Sequence, residues 1–124
     1  MVSIICDTSF LISLATRRIK NLDESITEIG QYEFVIPKSV MLELEHLINN
    51  PKKSRQATSA LTLAKQFSID SSIIRIPANH SIINYIKKYG GIVVTLDRDL
   101  KNNVRSAGGS IMSLYNDRII LENQ

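Results

Sequence analysis

The chain predicts an α/β fold: three layers, α/β/α, around a central, mainly parallel sheet of four or five strands. Two observations carry this reading. Short apolar runs recur along the 124 residues, among them Ile4-Ile5-Cys6, Phe34-Val35-Ile36 and Ile92-Val93-Val94. They do not alternate with polar residues, which is the pattern of strands buried on both faces of a parallel sheet. Between them lie stretches of helical period, so the passages read as βαβ units with helices on both faces of the sheet.

Each element has its own local reason. Residues 2–6 form a short buried strand. Thr8 or Ser9 can cap a following helix over 9–16, with Phe10, Leu11 and Leu14 on one face. Asn21 or Asp23 starts a helix over 22–30, Ile26 and Ile29 face inward, and Gly30 stops it. Glu33-Phe34-Val35-Ile36 is the next strand, and Pro37 suits the start of a helix. That helix, 38–49, sets Val40, Leu44, Leu47 and Ile48 at a helical period before Asn49-Asn50-Pro51 ends it. The exposed basic turn PKKSR leads into a helix over 55–68 with the stripe Ala60, Leu61, Ala64 and Phe67. Ile73-Ile74-Arg75-Ile76 reads as a strand or strand-like edge. Asn79 or Ser81 caps a helix over 80–89, which Gly90-Gly91 terminates. A strand over 92–95, a helix over 98–107, the turn Gly108-Gly109 and a strand over 110–114 follow. Asn116-Asp117 turns the chain into a last short strand, 118–121. No repeat, low-complexity tract or linker divides residues 1–124, so they read as a single domain.

Composition bounds the function. Apolar and charged residues stand in the proportions of an ordinary globular protein. Cys6 is the only cysteine, which excludes an intrachain disulfide and suits a buried, inert thiol. No apolar run approaches the roughly 18–20 residues that span a bilayer. Asp7 interrupts the N-terminal apolar run before it could form a signal peptide. The expectation is a cytoplasmic protein with no membrane partner. A net charge of +3 and an isoelectric point near 9.1 are mildly basic. The basic residues gather at Arg17, Arg18 and Lys20, at Lys52, Lys53 and Arg55, at Lys87 and Lys88, and at Arg98, Lys101 and Arg105. A solvated helix face is the ordinary reading of any one cluster. Beside carboxylates, such clusters point to a metal-dependent phosphodiester site.

The carboxylates stand where that site would form. Ile4-Ile5-Cys6 runs into Asp7, Thr8 and Ser9, and Val93-Val94 runs through Thr95 into Asp97 and Asp99. In parallel α/β sheets the ligand crevice lies beyond the carboxyl ends of the strands. Carboxylate oxygens there suit Mg²⁺ or Mn²⁺. Asp7 and Asp97 each also fit an N-cap. Asp99 is a ligand or a complement to the helix dipole. Thr95 is placed to orient a carboxylate or a water. Glu43 shares a helical face with Val40 and Leu47, so it points inward or reaches solvent at the stripe's edge. Glu45 falls outside that stripe, and His46 reads as a surface histidine. Tyr32, Tyr85, Tyr89 and Tyr115 read as packing residues.

Along nearly its whole length the chain resembles the PIN domain, a small α/β nuclease. The resemblance runs from IICDTSFLISL through VIPKSVMLELEHL to VVTLDRDLKNNVRSAGGSIMSL. The last block is most similar to the PIN proteins of small-subunit ribosomal RNA processing and their archaeal relatives. The resemblance implies a ribonuclease, an endonuclease dependent on Mg²⁺ or Mn²⁺ that leaves a 5′-phosphate and a 3′-hydroxyl. By it, Asp7, Glu43 and Asp97 correspond to the metal-binding acids; Asp99 lies in the same run as Asp97 and is expected to assist catalysis directly or through water. Thr8, Ser9, Asn79, His80 and Thr95 would line the site, and Arg98, Lys101, Arg105, Lys52, Lys53 and Arg55 would bind RNA. Many relatives carry one or two aspartates where this chain has Asn79 and His80, which leaves less negative charge there. Two other readings accompany the ribonuclease: a weakened module that binds RNA or a protein, and the toxin of a toxin–antitoxin pair. The partners implied are RNA, a second copy of the chain, a ribosome-assembly protein or an antitoxin.

Overall fold

The structure, a computed structural model, describes residues 2–17 and 30–122. Along the chain come β1 (Val2–Cys6), α1 (Thr8–Thr16), β2 (Tyr32–Pro37), α2 (Lys38–Leu47), α3 (Ser54–Ala64) and β3 (Ser68–Asp70). They are followed by α4 (Ala78–Tyr89), β4 (Ile92–Val94), α5 (Arg98–Ser106), β5 (Ser110–Tyr115) and β6 (Arg118–Glu122). The α/β fold with a mainly parallel sheet is as the sequence predicts. The sheet is wider than expected, with six strands in the order β3-β2-β1-β4-β5-β6. The first five run parallel, and β6 alone returns antiparallel to β5.

The central strands explain the apolar runs. Ile4 lies opposite Phe34 on one side and Ile92 on the other, and Cys6 lies opposite Val94. Ile4, Ile5, Cys6, Val93 and Val94 are all buried. Burial, with Asp7 beside it, pushes the Cys6 thiol well above its ordinary value, so the thiol stays protonated and inert. From β1 the chain steps to β2 and β3, then crosses back to β4 and β5. Right-handed crossovers therefore set α1, α2 and α3 on one face and α4 and α5 on the other. The packing agrees: α3 lies against α1 and α2, and α4 lies against α5. Buried Ala57, Ala60 and Ala64 let α3 come close. The reversal of direction leaves a crevice between the carboxyl ends of β1 and β4.

Several local expectations are corrected. The run 73–76 is not a strand. Ile73 is buried and its carbonyl accepts the Ser39 amide at 2.9 Å, while Ile74 and Ile76 are more than half exposed. The edge strand is instead Ser68–Asp70, paired with Val35–Pro37, so α3 stops at Ala64 and not at 68. Asp7, and neither Thr8 nor Ser9, is the N-cap of α1. The cap position of α4 is Pro77, not Asn79 or Ser81, and it offers no side-chain hydrogen bond. Tyr89 and Tyr115 are exposed where packing was expected. The helix expected over 22–30 lies, apart from Gly30, outside the described residues, as do Arg18 and Lys20. The Asn116-Asp117 turn is present, with φ of 50° and 60°, the left-handed pair that a type I′ hairpin requires. Among the described residues no helix is long and apolar enough to cross a membrane.

Candidate active site

Asp7 ends β1 and caps α1, taking the Phe10 amide on Oδ1 at 2.9 Å. Its backbone amide reaches the Val94 carbonyl at 3.4 Å, which ties the end of β1 to the end of β4. Across that seam come two hydroxyls. Ser9 Oγ lies 2.9 Å from both Asp7 oxygens, and Thr95 Oγ1 donates a short hydrogen bond to Asp7 Oδ2. Backbone donors fix which way these hydroxyls point. Ser9 Oγ accepts the Leu96 amide and Thr95 Oγ1 accepts the Asp97 amide, both at 3.0 Å. Each hydroxyl proton is therefore directed to Asp7. With the Phe10 amide, three donors converge on one carboxylate. A carboxylate offers roughly four lone-pair sites, so one remains open.

Asp97 follows β4 and caps α5. Its Oδ1 accepts the amides of Asp99 at 2.9 Å and Leu100 at 3.2 Å. Its Oδ2 accepts no hydrogen bond from a described residue. The two aspartates interact electrostatically. Burial is the main force that lifts the Asp7 carboxyl from 3.8 to about 6. The Thr95, Phe10 and Ser9 hydrogen bonds pull it down, and the Asp97 charge adds to the rise. Both aspartates are thus helix caps, and both keep acceptor capacity at the carboxyl ends of β1 and β4. Asp99 is exposed in the first turn of α5, where it complements the helix dipole.

Glu43 does not join them in one cluster. Its Oε1 accepts the Ala78 amide at 2.6 Å and its Oε2 accepts Thr8 Oγ1 at 3.3 Å. Pro77 and Ala78 carry no side-chain oxygen to cap α4, so the half-buried Glu43 does so from α2. Among the described residues, no three His, Cys, Asp or Glu side chains form a group able to hold a metal ion. Of the three acids expected to hold a metal, Asp7 and Asp97 interact electrostatically, and Glu43 bonds Thr8, the residue that follows Asp7. The pair still fits a hard cation of the Mg²⁺ type, which is commonly held by one or two carboxylates, waters and substrate phosphates.

The remaining expected residues divide. Thr8, Ser9 and Thr95 line the site through the bonds above. Asn79 and His80 are exposed on the first turn of α4 and bond to none of the acids. Glu45 and His46 are exposed. Lys101 and Arg105 share Glu122 of β6, at 3.5 and 3.3 Å, so one carboxylate offsets one of their two positive charges. Arg98 is exposed at the start of α5. Lys52, Lys53 and Arg55 are exposed around the turn between α2 and α3 and form no ion pair among the described residues. The capping role of Glu43 was missed by sequence reasoning. Its one sign was a helix start, Pro77-Ala78, without a polar cap of its own.

Comparison with known proteins adds to this geometry. A family model described as PIN like domain matches residues 4–117. The solved structure of the PIN domain endonuclease Utp24 superposes with a TM-score of 0.78 at 25% identity, over 98% of this chain and 92% of that one. A domain of a functionally unknown protein from Methanocaldococcus jannaschii DSM 2661 matches with a TM-score of 0.66 at 16% identity, over 93% and 92% of the two chains. That second likeness concerns the fold alone. No curated protein sequence matches the chain.

Proposed function

This chain belongs to the PIN-like domain family, and from that membership we propose that it is a ribonuclease, an endonuclease that hydrolyses RNA phosphodiester bonds with Mg²⁺ or Mn²⁺. The observation that carries the reading is the aspartate pair at the β1–β4 crevice, each carboxylate fixed by backbone amides and left with acceptor capacity. Asp7 and Asp97 would hold the cation. When bound there, it supplies positive charge to the phosphate and makes a water more acidic. Ser9 and Thr95 keep the Asp7 oxygens in place and direct their protons to it, so the carboxylate is oriented before substrate arrives. Asp99, exposed two residues beyond Asp97, would assist as a proton acceptor. Thr8 and Glu43 form the wall toward α4.

A role in ribosomal RNA processing is part of the same proposal. It is supported by the run Leu96-Asp97-Arg98-Asp99-Leu100-Lys101, which resembles that branch, and by the likeness to Utp24. A second reading has its own observation. With only two acids together and no carboxylate at the exposed Asn79 and His80, a module that binds RNA without cutting it is the competing outcome. Labelled RNA incubated with Mn²⁺ separates them. Cleavage by the wild type should fall at least about 100-fold in Asp7→Asn and in Asp97→Asn, and vanish with EDTA. Cleavage that survives both substitutions would come from another nuclease and sink the assignment. Binding without cleavage over a range of metals would select the second reading.

A further inference from the structure

The loop that follows β3 and one side of α4 enclose a groove of about 420 Å³. Ile74 and Arg75 wall it on the loop side, and Asn84, Tyr85, Lys88 and Tyr89 on α4. Its chemistry is unusual for a bare surface. Tyr89 is 64% exposed, and its ring centroid lies 4.9 Å from that of Tyr85. Lys88 Nζ stands 5.2 Å above the Tyr89 ring. Arg75 and Lys88 form no ion pair with any described residue. No acid lines the groove, whereas the neighbouring cleft that shares the two tyrosines is lined by Glu33 and Asp70. Charge thus divides at the tyrosine pair, with cations on one side and carboxylates on the other.

Adjacent aromatic rings beside unpaired cations match a single-stranded nucleic acid: bases stack on the rings and phosphates meet the cations. We infer that this groove is a track for single-stranded RNA, with Tyr89 and Tyr85 as stacking platforms and Arg75 and Lys88 as phosphate contacts. The identity of the strand as RNA rests on the ribonuclease reading. The groove also runs along the helix whose first amide Glu43 holds. Tyr85 lies about 10 Å along α4 from Ala78, and Tyr89 about 16 Å, at 1.5 Å per residue. The tyrosine end of the groove lies beside Val2 and Ile92, at the amino ends of β1 and β4, so a strand seated there would follow α4 toward Ala78 to reach the carboxylate crevice. Duplex RNA has no unstacked bases to offer the rings.

The test is equilibrium binding of a short labelled oligouridylate in EDTA, where no turnover occurs. Tyr89→Ala should weaken binding roughly tenfold, while Tyr89→Phe, which keeps the ring, should bind as the wild type does. Arg75→Ala and Lys88→Ala should each take about 0.7 off the slope of log affinity against log salt. These side chains are exposed, so the variants are expected to fold, and their thermal unfolding checks this. Unchanged affinity in Tyr89→Ala together with unchanged slopes would overturn the groove, as would a wild type that binds no RNA. The two proposals fail separately. Asp7-dependent cleavage with every groove variant binding normally removes the groove and keeps the nuclease. The expected binding pattern in a protein that never cuts does the reverse.

Discussion

The Asp7 carboxylate is 3% exposed and held by three donors, yet burial still lifts its pKa from 3.8 to about 6. Between those two values the folded protein keeps a proton that the unfolded chain has lost. The folded state then binds more protons, so stability falls as pH rises through that window. Above it the whole cost is present, on the order of 3 kcal/mol. Asp7→Asn removes the charge and keeps an oxygen for the Phe10 amide, although the Thr95 hydroxyl must turn to meet an amide group. The variant should be more stable than the wild type at pH 7 by about 1–3 kcal/mol, and about equal to it near pH 4. Urea midpoints at the two pH values measure this. No gain at pH 7 would mean that the hydroxyls and the Phe10 amide fully offset burial. A residue that weakens the fold at neutral pH and still faces the crevice fits a group placed for chemistry.

At the scale of the element, α4 has no cap of its own and depends on α2. Glu43→Ala should leave the Ala78 amide without its carboxylate and destabilise the protein by about 1–2 kcal/mol. Glu43→Gln keeps an acceptor oxygen and should lose less than about half of that. Chemical denaturation of the two variants distinguishes capping from mere loss of charge: equal losses would reject the cap. This bond also marks where the sequence stops being legible. The strands buried on both faces, the acids at their ends and the glycine stop of α4 were readable, because each depends on neighbours within a few residues. The edge strand Ser68–Asp70 was not, since its pairing with Val35–Pro37 needs no apolar period, and the more conspicuous Ile73-Ile74-Arg75-Ile76 drew the assignment. Asp7, Asp97 and the lining hydroxyls could be named from sequence. Their wiring could not, because Ser9 meets Leu96 across 87 residues and Glu43 meets Ala78 across 35.

Across the whole molecule, the crevice is a consequence of strand order. β1 and β4 are neighbours in the sheet although most of the chain lies between them, and the two halves of the fold leave that seam in opposite directions. The seam is closed at its carboxyl end by the Asp7 amide on Val94 and by the Ser9 and Thr95 hydroxyls. A cation shared by Asp7 and Asp97 would join the same two halves, and a ligand that binds only the folded state must stabilise it. At ten times its dissociation constant, Mn²⁺ should add about 1.4 kcal/mol and raise the Tm by about 5 °C. The rise should disappear in Asp7→Asn and in Asp97→Asn. It should persist in Glu43→Gln, because the Glu43 oxygens are turned to Ala78 and Thr8. Thermal unfolding with and without Mn²⁺ reads all four proteins. A wild type whose Tm ignores Mn²⁺ would remove the cation from the crevice. A rise lost in Glu43→Gln would bring the third acid to the ion and require α4 to give up its cap when the cation binds.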